Sequence, residues 1–433
     1  MTSLSADVAI IGAGIAGRHV AQLLTKQGVN VLLIDQKPLD EAGPRWINGV
    51  PTWMFQEAGL AQPISPELFD INDRFIIRAP DTKTQVTIDK LGLLDVHMHH
   101  LSTRLKSLFL ERGYFCQSTI TEGVFKSKRL IAIKGEGTDG KSIHIQAKLF
   151  IDASGLKAVV RNHHPWAEKL WPKVHRMDLC SAHQASFVIK DRHGAQAFLE
   201  RHNVTPGTIM ADIGFMGGYS LFRWQINPAI DLISLLCGIR ALPQYKPATH
   251  FIRRFIKDNS WIGPCFIEGR GAIPLNAPYH DLIAPGLALL GDAACQVYAA
   301  HGSGIGMGLI AAKILADTIG QAHNDGKDIG ALDALLGYPQ KFHKLLYKRL
   351  YFAEQMRKVS QNLPAKNMGE LIKSGLLNQH LIRQTLLQEE PKLPGFVLRQ
   401  LMKACALSPR ALLRMVPSLH QAAIAQKALI VQE

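Results

Sequence analysis

Asp7-Val8-Ala9-Ile10-Ile11-Gly12-Ala13-Gly14-Ile15-Ala16-Gly17 decides the fold of this chain. Val8 to Ile11 is a short apolar run, as a parallel strand buried on both faces requires. Gly12 lets the chain turn sharply out of that strand. Gly14 lets the backbone approach a pyrophosphate, and Gly17 lets the next helix pack close to the strand. The pattern predicts a helix from His19 to Gln27. Its N-terminal N–H groups, with Ala13, Ile15 and Ala16 in the turn before them, would face the phosphates. A second apolar run, Val29 to Ile34, ends at Asp35, 18 residues after Gly17. A carboxylate there, with Gln36 beside it, is placed to meet the adenosine ribose hydroxyls. Strand, glycines, helix, strand and acid in this order read as a dinucleotide-binding βαβ unit.

A second glycine signature lies far downstream. Leu287 to Leu290 reads as another buried strand, followed by Gly291-Asp292-Ala293-Ala294 and Gly302-Ser303-Gly304-Ile305-Gly306, which opens a helix from Met307 to Ile319. Two separated segments point to FAD, whose isoalloxazine–ribityl arm needs a second binding segment that NAD does not. Here the chain resembles the glutathione-reductase-type FAD fold in its hydroxylase branch, which includes aromatic hydroxylases, geranylgeranyl reductases and flavin-dependent halogenases. The resemblance implies that Asp292 hydrogen-bonds the ribityl chain and that the amides from Gly302 through Gly304, Ile305 and Gly306 face the flavin pyrimidine edge. Ala299 stands where the branch usually has proline. Leu149 to Arg161, with Asp152-Ala153-Ser154-Gly155 at its centre, resembles the branch's mid-chain motif in its reductase and halogenase form and adds Gly155 to the cofactor site.

The fold expected is α/β: a Rossmann-like FAD-binding domain, an inserted β-sheet substrate domain and a helical C-terminal domain. The FAD domain is expected to be discontinuous, over residues 1–74, 92–180 and 273–340. Residues 75–91 and 181–272 carry the β-rich substrate region, and residues 341–433 the helical end, with helices at Lys341 to Gln361, Leu371 to Gln388 and Phe396 to Leu407. Six scattered cysteines with no CxxC pair read as reduced thiols. With a strand starting at Asp7 and no bilayer-length apolar run, a cytoplasmic protein is expected. Net charge is +14, and residues 341–433 supply +10 of it, from 15 Lys/Arg against 5 Asp/Glu. Such a segment suits an acidic protein or peptide partner, with an anionic membrane surface as the weaker alternative. No nucleic-acid-binding signature is present.

Few side chains outside the glycine motifs suggest chemistry. His97, His99 and His100 cluster, but no Cys, Asp or Glu set completes a metal site. By the resemblance the segment Leu94 to Leu101 starts a helix beside the FAD, which makes His97 and His99 candidates for the reacting centre. Arg45 and Trp46 follow the second strand in a loop that in the branch comes close to the flavin, Arg45 toward the cofactor and Trp46 for stacking or packing. Phe222-Arg223-Trp224-Gln225-Ile226-Asn227-Pro228 is a degenerate match to the branch's substrate motifs, and Gly217-Gly218-Tyr219 echoes the start of the reductase form. The halogenase lysine position falls near Asp70, which disfavours simple halogenation.

Taken with the resemblance, the first expectation is an FAD-dependent monooxygenase that hydroxylates an electron-rich aromatic substrate through a flavin C4a-(hydro)peroxide. A tryptophan in a partner polypeptide, during tryptophylquinone biogenesis, is one such substrate. NAD(P)H would be the electron donor, directly or through a separate reductase. The alternatives are a geranylgeranyl-reductase-like enzyme acting on a prenyl lipid, and a non-catalytic flavoprotein serving as an interaction module.

Overall fold

The computed structural model describes residues 2–361, 363–375 and 377–390; the helix expected from Phe396 to Leu407 lies outside them. Two seven-stranded sheets and one three-stranded sheet carry the chain. In the first, strand Thr2–Ile11 lies parallel between Val31–Asp35 and Ser142–Asp152. Val8, Ala9 and Ile10 are fully buried, which is why that stretch reads as an unbroken apolar run. Tyr114 to Gln117 extends the parallel sheet on one side and Leu287–Leu289 on the other. The rest of Tyr114–Lys126 forms an antiparallel meander with Arg129–Gly137 and Ser142–Asp152. Helices Ile15–Lys26, Met98–Leu110 and Ile305–Asn324 merge with this sheet into one core. Ile305–Asn324 is long and apolar enough to cross a membrane, yet 78% of its apolar window is buried inside the fold. It is a core helix.

The second sheet runs Ile262–Pro274, Leu179–Ile189, Leu232–Arg240, Ser220–Ile226, Ile209–Ile213, Phe75–Arg78 and Gln85–Ile88. Alternate residues point to opposite faces. On the back, Ala185, Leu235 and Trp224 pack with helices Arg192–His202 and Ala248–Asp258. The front is hollowed by small residues in register. Gly271, Ala182 and Gly238 are successive cross-strand neighbours, and Leu221 and Ile213 continue that row. The adjacent row runs Gly269, Gln184, Leu236, Arg223, Ala211 and Ile77.

A third sheet, Ile47–Val50, Leu93–His97 and Leu68–Asn72, has no counterpart in the sequence reading. Its Asp95 accepts a hydrogen bond from Arg223 at 3.0 Å and so ties it to the second sheet.

The C-terminal region departs from expectation. Gly337–Phe342, a π-helical turn His343–Tyr347 and Lys348–Gln361 form one helical run, so a boundary at residue 341 falls inside it. The expected helix from Leu371 to Gln388 is two helices, Ala365–Lys373 and Gln379–Leu386. Gly375 breaks it with a φ of 77°, and the Asn378 side chain caps the second helix by accepting the Leu381 N–H at 2.9 Å. These helices set Met368, Leu371, Ile382 and Leu386 against Ile213, Leu221 and Ile77 on the front of the second sheet. Their charges are largely spent within the chain. Of the nine Lys/Arg in residues 341–390, six have recorded partners: Lys348 with Glu390, Arg349 with Trp53 and Gln388, Arg357 with Asp178, Lys358 with Glu354, Lys373 with Asp81, and Arg383 with the Lys90 carbonyl.

Candidate active site

The three glycines of the N-terminal motif serve three different ends. Gly12 takes a φ of 108°, and a β-carbon there would lie 2.3 Å from the Ala153 carbonyl oxygen. At Gly17 a β-carbon would come within 2.0 Å of the Gly12 carbonyl oxygen, so glycine is needed for helix-on-strand packing. Gly14 has an ordinary φ of −70°, and a β-carbon there meets no atom within 4 Å. Neither strain nor a protein neighbour requires glycine at position 14. It is the N-cap of helix Ile15–Lys26, with no side-chain cap and no acid in the first turn. The first-turn N–H groups and the positive end of the helix dipole therefore face open space.

Two charged residues hold that turn. Asp35 accepts the Ala13 N–H at 2.8 Å and the Lys37 N–H at 2.9 Å. Arg18, which the sequence reading did not single out, is buried, and its donors end on the carbonyls of Ala13, Ser102, Leu39 and Ala42. Among the described residues no carboxylate bonds to it. Burial lowers its pKa, against the charges of Asp35 and Asp40. Arg18 does not line the cavity; its charge lies behind the turn and adds to the positive end of the bare helix N-terminus.

The downstream motif brings a carboxylate to the same place. Asp292 lines the cavity, and no described residue donates a hydrogen bond to its side chain; burial pushes its carboxyl up to about 6. Gly302, Ser303, Gly304 and Ile305 line the cavity as well. Ser303 is fixed by Asn48, whose Nδ2 donates to its Oγ at 3.1 Å. The mid-chain Asp152 has a different task. Its carboxylate accepts the N–H groups of Ser154, Val160 and Arg161 at 3.1, 2.9 and 2.7 Å, which builds the turn that turns Gly155 to the cavity.

The cavity measures about 670 Å³. One end is walled by Gly14 to Gly17, Gly155 and Gly291 to Asp292. From there it extends over the hollowed front of the second sheet, past Ala182, Gly238 and Leu221, to Ile213, Phe75 and Ile77. Met356, Met368, Leu377, Ile382 and Leu386 of the C-terminal helices close it. Trp46 forms another wall, seated where Gly269 and Gly271 leave space on the edge strand.

Not every predicted residue comes to this cavity. His97 and His99 do not line it. His97 caps helix Met98–Leu110 and packs on His100 at 4.5 Å, its Nδ1 buried without a partner. Burial and the neighbouring histidines lower its pKa. His99 is exposed, its pKa lowered by partial burial, His100, Arg45 and Arg18. Arg45 is exposed, and Gln36 accepts only from Lys157 at 3.4 Å through its side chain. Gly306 faces away from the cavity, since a β-carbon there would lie 1.9 Å from the Met54 sulfur; it serves helix packing. Asp70 stands opposite Asp95 in the three-stranded sheet, and burial raises its pKa. Among the described residues no group of three or more His, Cys, Asp or Glu could hold a metal ion.

Besides Arg18, sequence reasoning passed over His301 and Arg357. His301 lines the cavity, and its Nε2 donates to the Thr385 carbonyl at 3.2 Å, holding helix Gln379–Leu386 to the glycine loop. Burial depresses its pKa to about 4, so it is neutral. Its position next to Gly302 was the available signal.

Comparison with known proteins bears on the fold. A sequence profile described as lycopene cyclase protein matches residues 7–177, the stretch holding the first and mid-chain motifs. Digeranylgeranylglycerophospholipid reductase from Sulfolobus acidocaldarius is 22% identical over 350 residues, covering 75% of this chain and 71% of its own length. A geranylgeranyl bacteriochlorophyll reductase-like protein from Thermoplasma acidophilum superimposes with a TM-score of 0.71 at 15% identity, over 96% of this chain and all of its own. The chain has the fold of the FAD-dependent oxidoreductases. The myxobacterial chondrochloren halogenase, a FAD-dependent enzyme, shares it with a TM-score of 0.62 at 15% identity, over 95% of this chain and 97% of its own. Geranylgeranyl-reductase-like and halogenase-like proteins are thus both neighbours of this chain.

Proposed function

We propose that this protein is an FAD-dependent reductase acting on a long, apolar, isoprenyl-type substrate. The observation that carries the reading is the cavity. It begins at the bare helix N-terminus and unpartnered carboxylate and continues along an apolar channel between the second sheet and the C-terminal helices. The residues present fit FAD. The open space at Gly14 and the first-turn N–H groups, with the turn held from behind by Arg18, suit a pyrophosphate. Asp292, half-buried with no hydrogen-bond partner among the described residues, suits a hydroxyl-bearing ribityl chain, and the backbone from Gly302 to Ile305 suits the ring edge. When bound, the cofactor supplies two-electron chemistry. The protein holds it, excludes water, and orients an alkene-bearing chain along Ile77, Ala211, Ile213 and Leu221. The names of the curated relatives favour a prenyl reductase over the aromatic hydroxylation expected first, and a non-catalytic role leaves the apolar part of the cavity without a purpose.

The deciding experiment incubates the chemically reduced holoenzyme with a geranylgeranyl lipid without oxygen and weighs the product. A gain of two hydrogens per double bond supports the reading. Oxygen uptake coupled to an aromatic or tryptophan-containing substrate, with no saturation of the prenyl chain, would replace it with the monooxygenase reading, which uses the same cofactor site. Whether NAD(P)H reduces the flavin directly is read by adding NADPH to the oxidised protein and following bleaching.

A further inference from the structure

Among the polar side chains that line the cavity, Tyr219 and Arg357 have polar atoms with no hydrogen-bond partner among the described residues. Tyr219, at the start of strand Ser220–Ile226, lines the cavity with no recorded hydrogen bond to its hydroxyl from any described residue. That oxygen lies 3.3 Å from where a β-carbon of Gly302 would stand. Arg357, on helix Lys348–Gln361, lines the same cavity and its side chain has no solvent exposure. Its Nη1 is engaged by Asp178 at 2.9 Å and by the Gln361 side chain. Its Nε and Nη2, which form the side edge of the guanidinium, have no hydrogen-bond partner among the described residues. Glu354 approaches Nη2 only to 4.0 Å and bonds to Lys358 at 3.1 Å. The other ionisable neighbours are Arg240, whose pKa is lowered by burial and by the Arg357 charge, and Cys180 beside Tyr219.

Leaving two donors of a buried guanidinium unmet costs more than pairing them. The Nε/Nη2 edge matches two oxygens of a carboxylate or phosphate side by side. We propose that Arg357 and Tyr219 form an oxyanion subsite that holds the anionic head of an apolar-chain substrate and so fixes the depth at which its double bonds lie. The inference rests on the reductase reading and narrows its substrate class to amphiphilic anions. Arg357 is a positioning residue: it sets where the chain lies and does not take part in bond changes.

The test measures binding to the oxidised holoenzyme by calorimetry, using geranylgeranyl phosphate, geranylgeraniol and inorganic phosphate as probes. Wild type should bind the prenyl phosphate at least tenfold more tightly than the alcohol and inorganic phosphate weakly. Arg357→Lys keeps the charge toward Asp178 but removes the fork; it should erase the preference while leaving alcohol affinity and FAD content unchanged. Tyr219→Phe, a milder change should Arg357→Lys fold poorly, should reduce the preference several-fold. Equal wild-type affinity for phosphate and alcohol, or a preference that survives in both variants, overturns the subsite and leaves the reductase reading standing. If neither prenyl probe binds wild type, the subsite is overturned; whether the reductase reading also falls is decided separately by prenyl saturation in the anaerobic assay.

Discussion

Trp46 rests its indole on the backbone of Gly269: a β-carbon at Gly269 would lie 2.4 Å from Cε3 of the ring. The loop after the second strand of the dinucleotide unit is thereby locked to the edge strand of the substrate sheet. The contact also sets the width of the cavity at the junction of the two sheets, because the same indole is one of its walls. Gly269→Ala should therefore push Trp46 into the cavity and destabilise the protein by about 1–3 kcal/mol, the usual cost of overpacking. Trp46→Leu in the same chain should recover most of that loss. Thermal unfolding of the two single variants and the double variant measures it, and strict additivity would show that the contact carries no energy.

Gly14→Ala should separate folding from cofactor binding. Its backbone conformation suits alanine and no protein atom stands in the way, so melting of the cofactor-free protein should not change. FAD retention, read from visible absorbance after gel filtration, should fall, and fall further in Gly14→Val. Gly17→Ala makes the contrast, because its β-carbon would strike the Gly12 carbonyl and the variant should lose stability itself.

Asp292→Ala should weaken FAD binding by about 1.5–3 kcal/mol, the range for a hydrogen bond to a charged group. Titration of the cofactor-free protein with FAD, followed by flavin fluorescence, checks it. An unchanged affinity would mean that the carboxylate does not meet the ribityl chain.

Acid should loosen the cofactor-free protein through two histidines, the buried His19 and the half-buried His301. Burial holds His19 and His301 near 4, below the ordinary 6.5. The unfolded chain therefore takes up protons first; stability is full above about 6.5 and is lost as pH falls toward 4. Asp292, raised to about 6 by burial, acts with the opposite sign, since the folded carboxyl binds its proton before the unfolded one. His301→Asn should flatten the fall in Tm between pH 6.5 and 4, and Asp292→Asn should steepen it. Identical slopes in wild type and His301→Asn would show that His301 is not neutral when folded.

Arg357 is the part of the cavity that no reading of the sequence reached, whereas a prenyl lipid already stood among the alternatives for the substrate. Arg357 stands in a lysine- and arginine-rich helical stretch whose composition suggests a solvated face or a partner-binding surface. Only the packing of that helix against Asp178 and the second sheet shows that this arginine is buried with two of its three guanidinium nitrogens unused. His97 and His99 illustrate the reverse. Their spacing draws attention, yet the helix they open points them away from the cavity.

By itself the sequence determined the parallel sheet and the two glycine turns, because each is a local matter: an apolar run buries a strand, and a glycine stands where a side chain would block the backbone. It also indicated that the early strands at Phe75–Arg78 and Gln85–Ile88 join the later sheet. The three-stranded sheet, the packing of the C-terminal helices over the cavity and the seat of Trp46 were decided only by tertiary structure. Each depends on pairing between distant segments: Ile47 opposite His97, Ile213 against Met368 and Trp46 against Gly269. Which residues meet across such distances follows from how whole faces fit together, and period and composition within one segment carry no record of the partner.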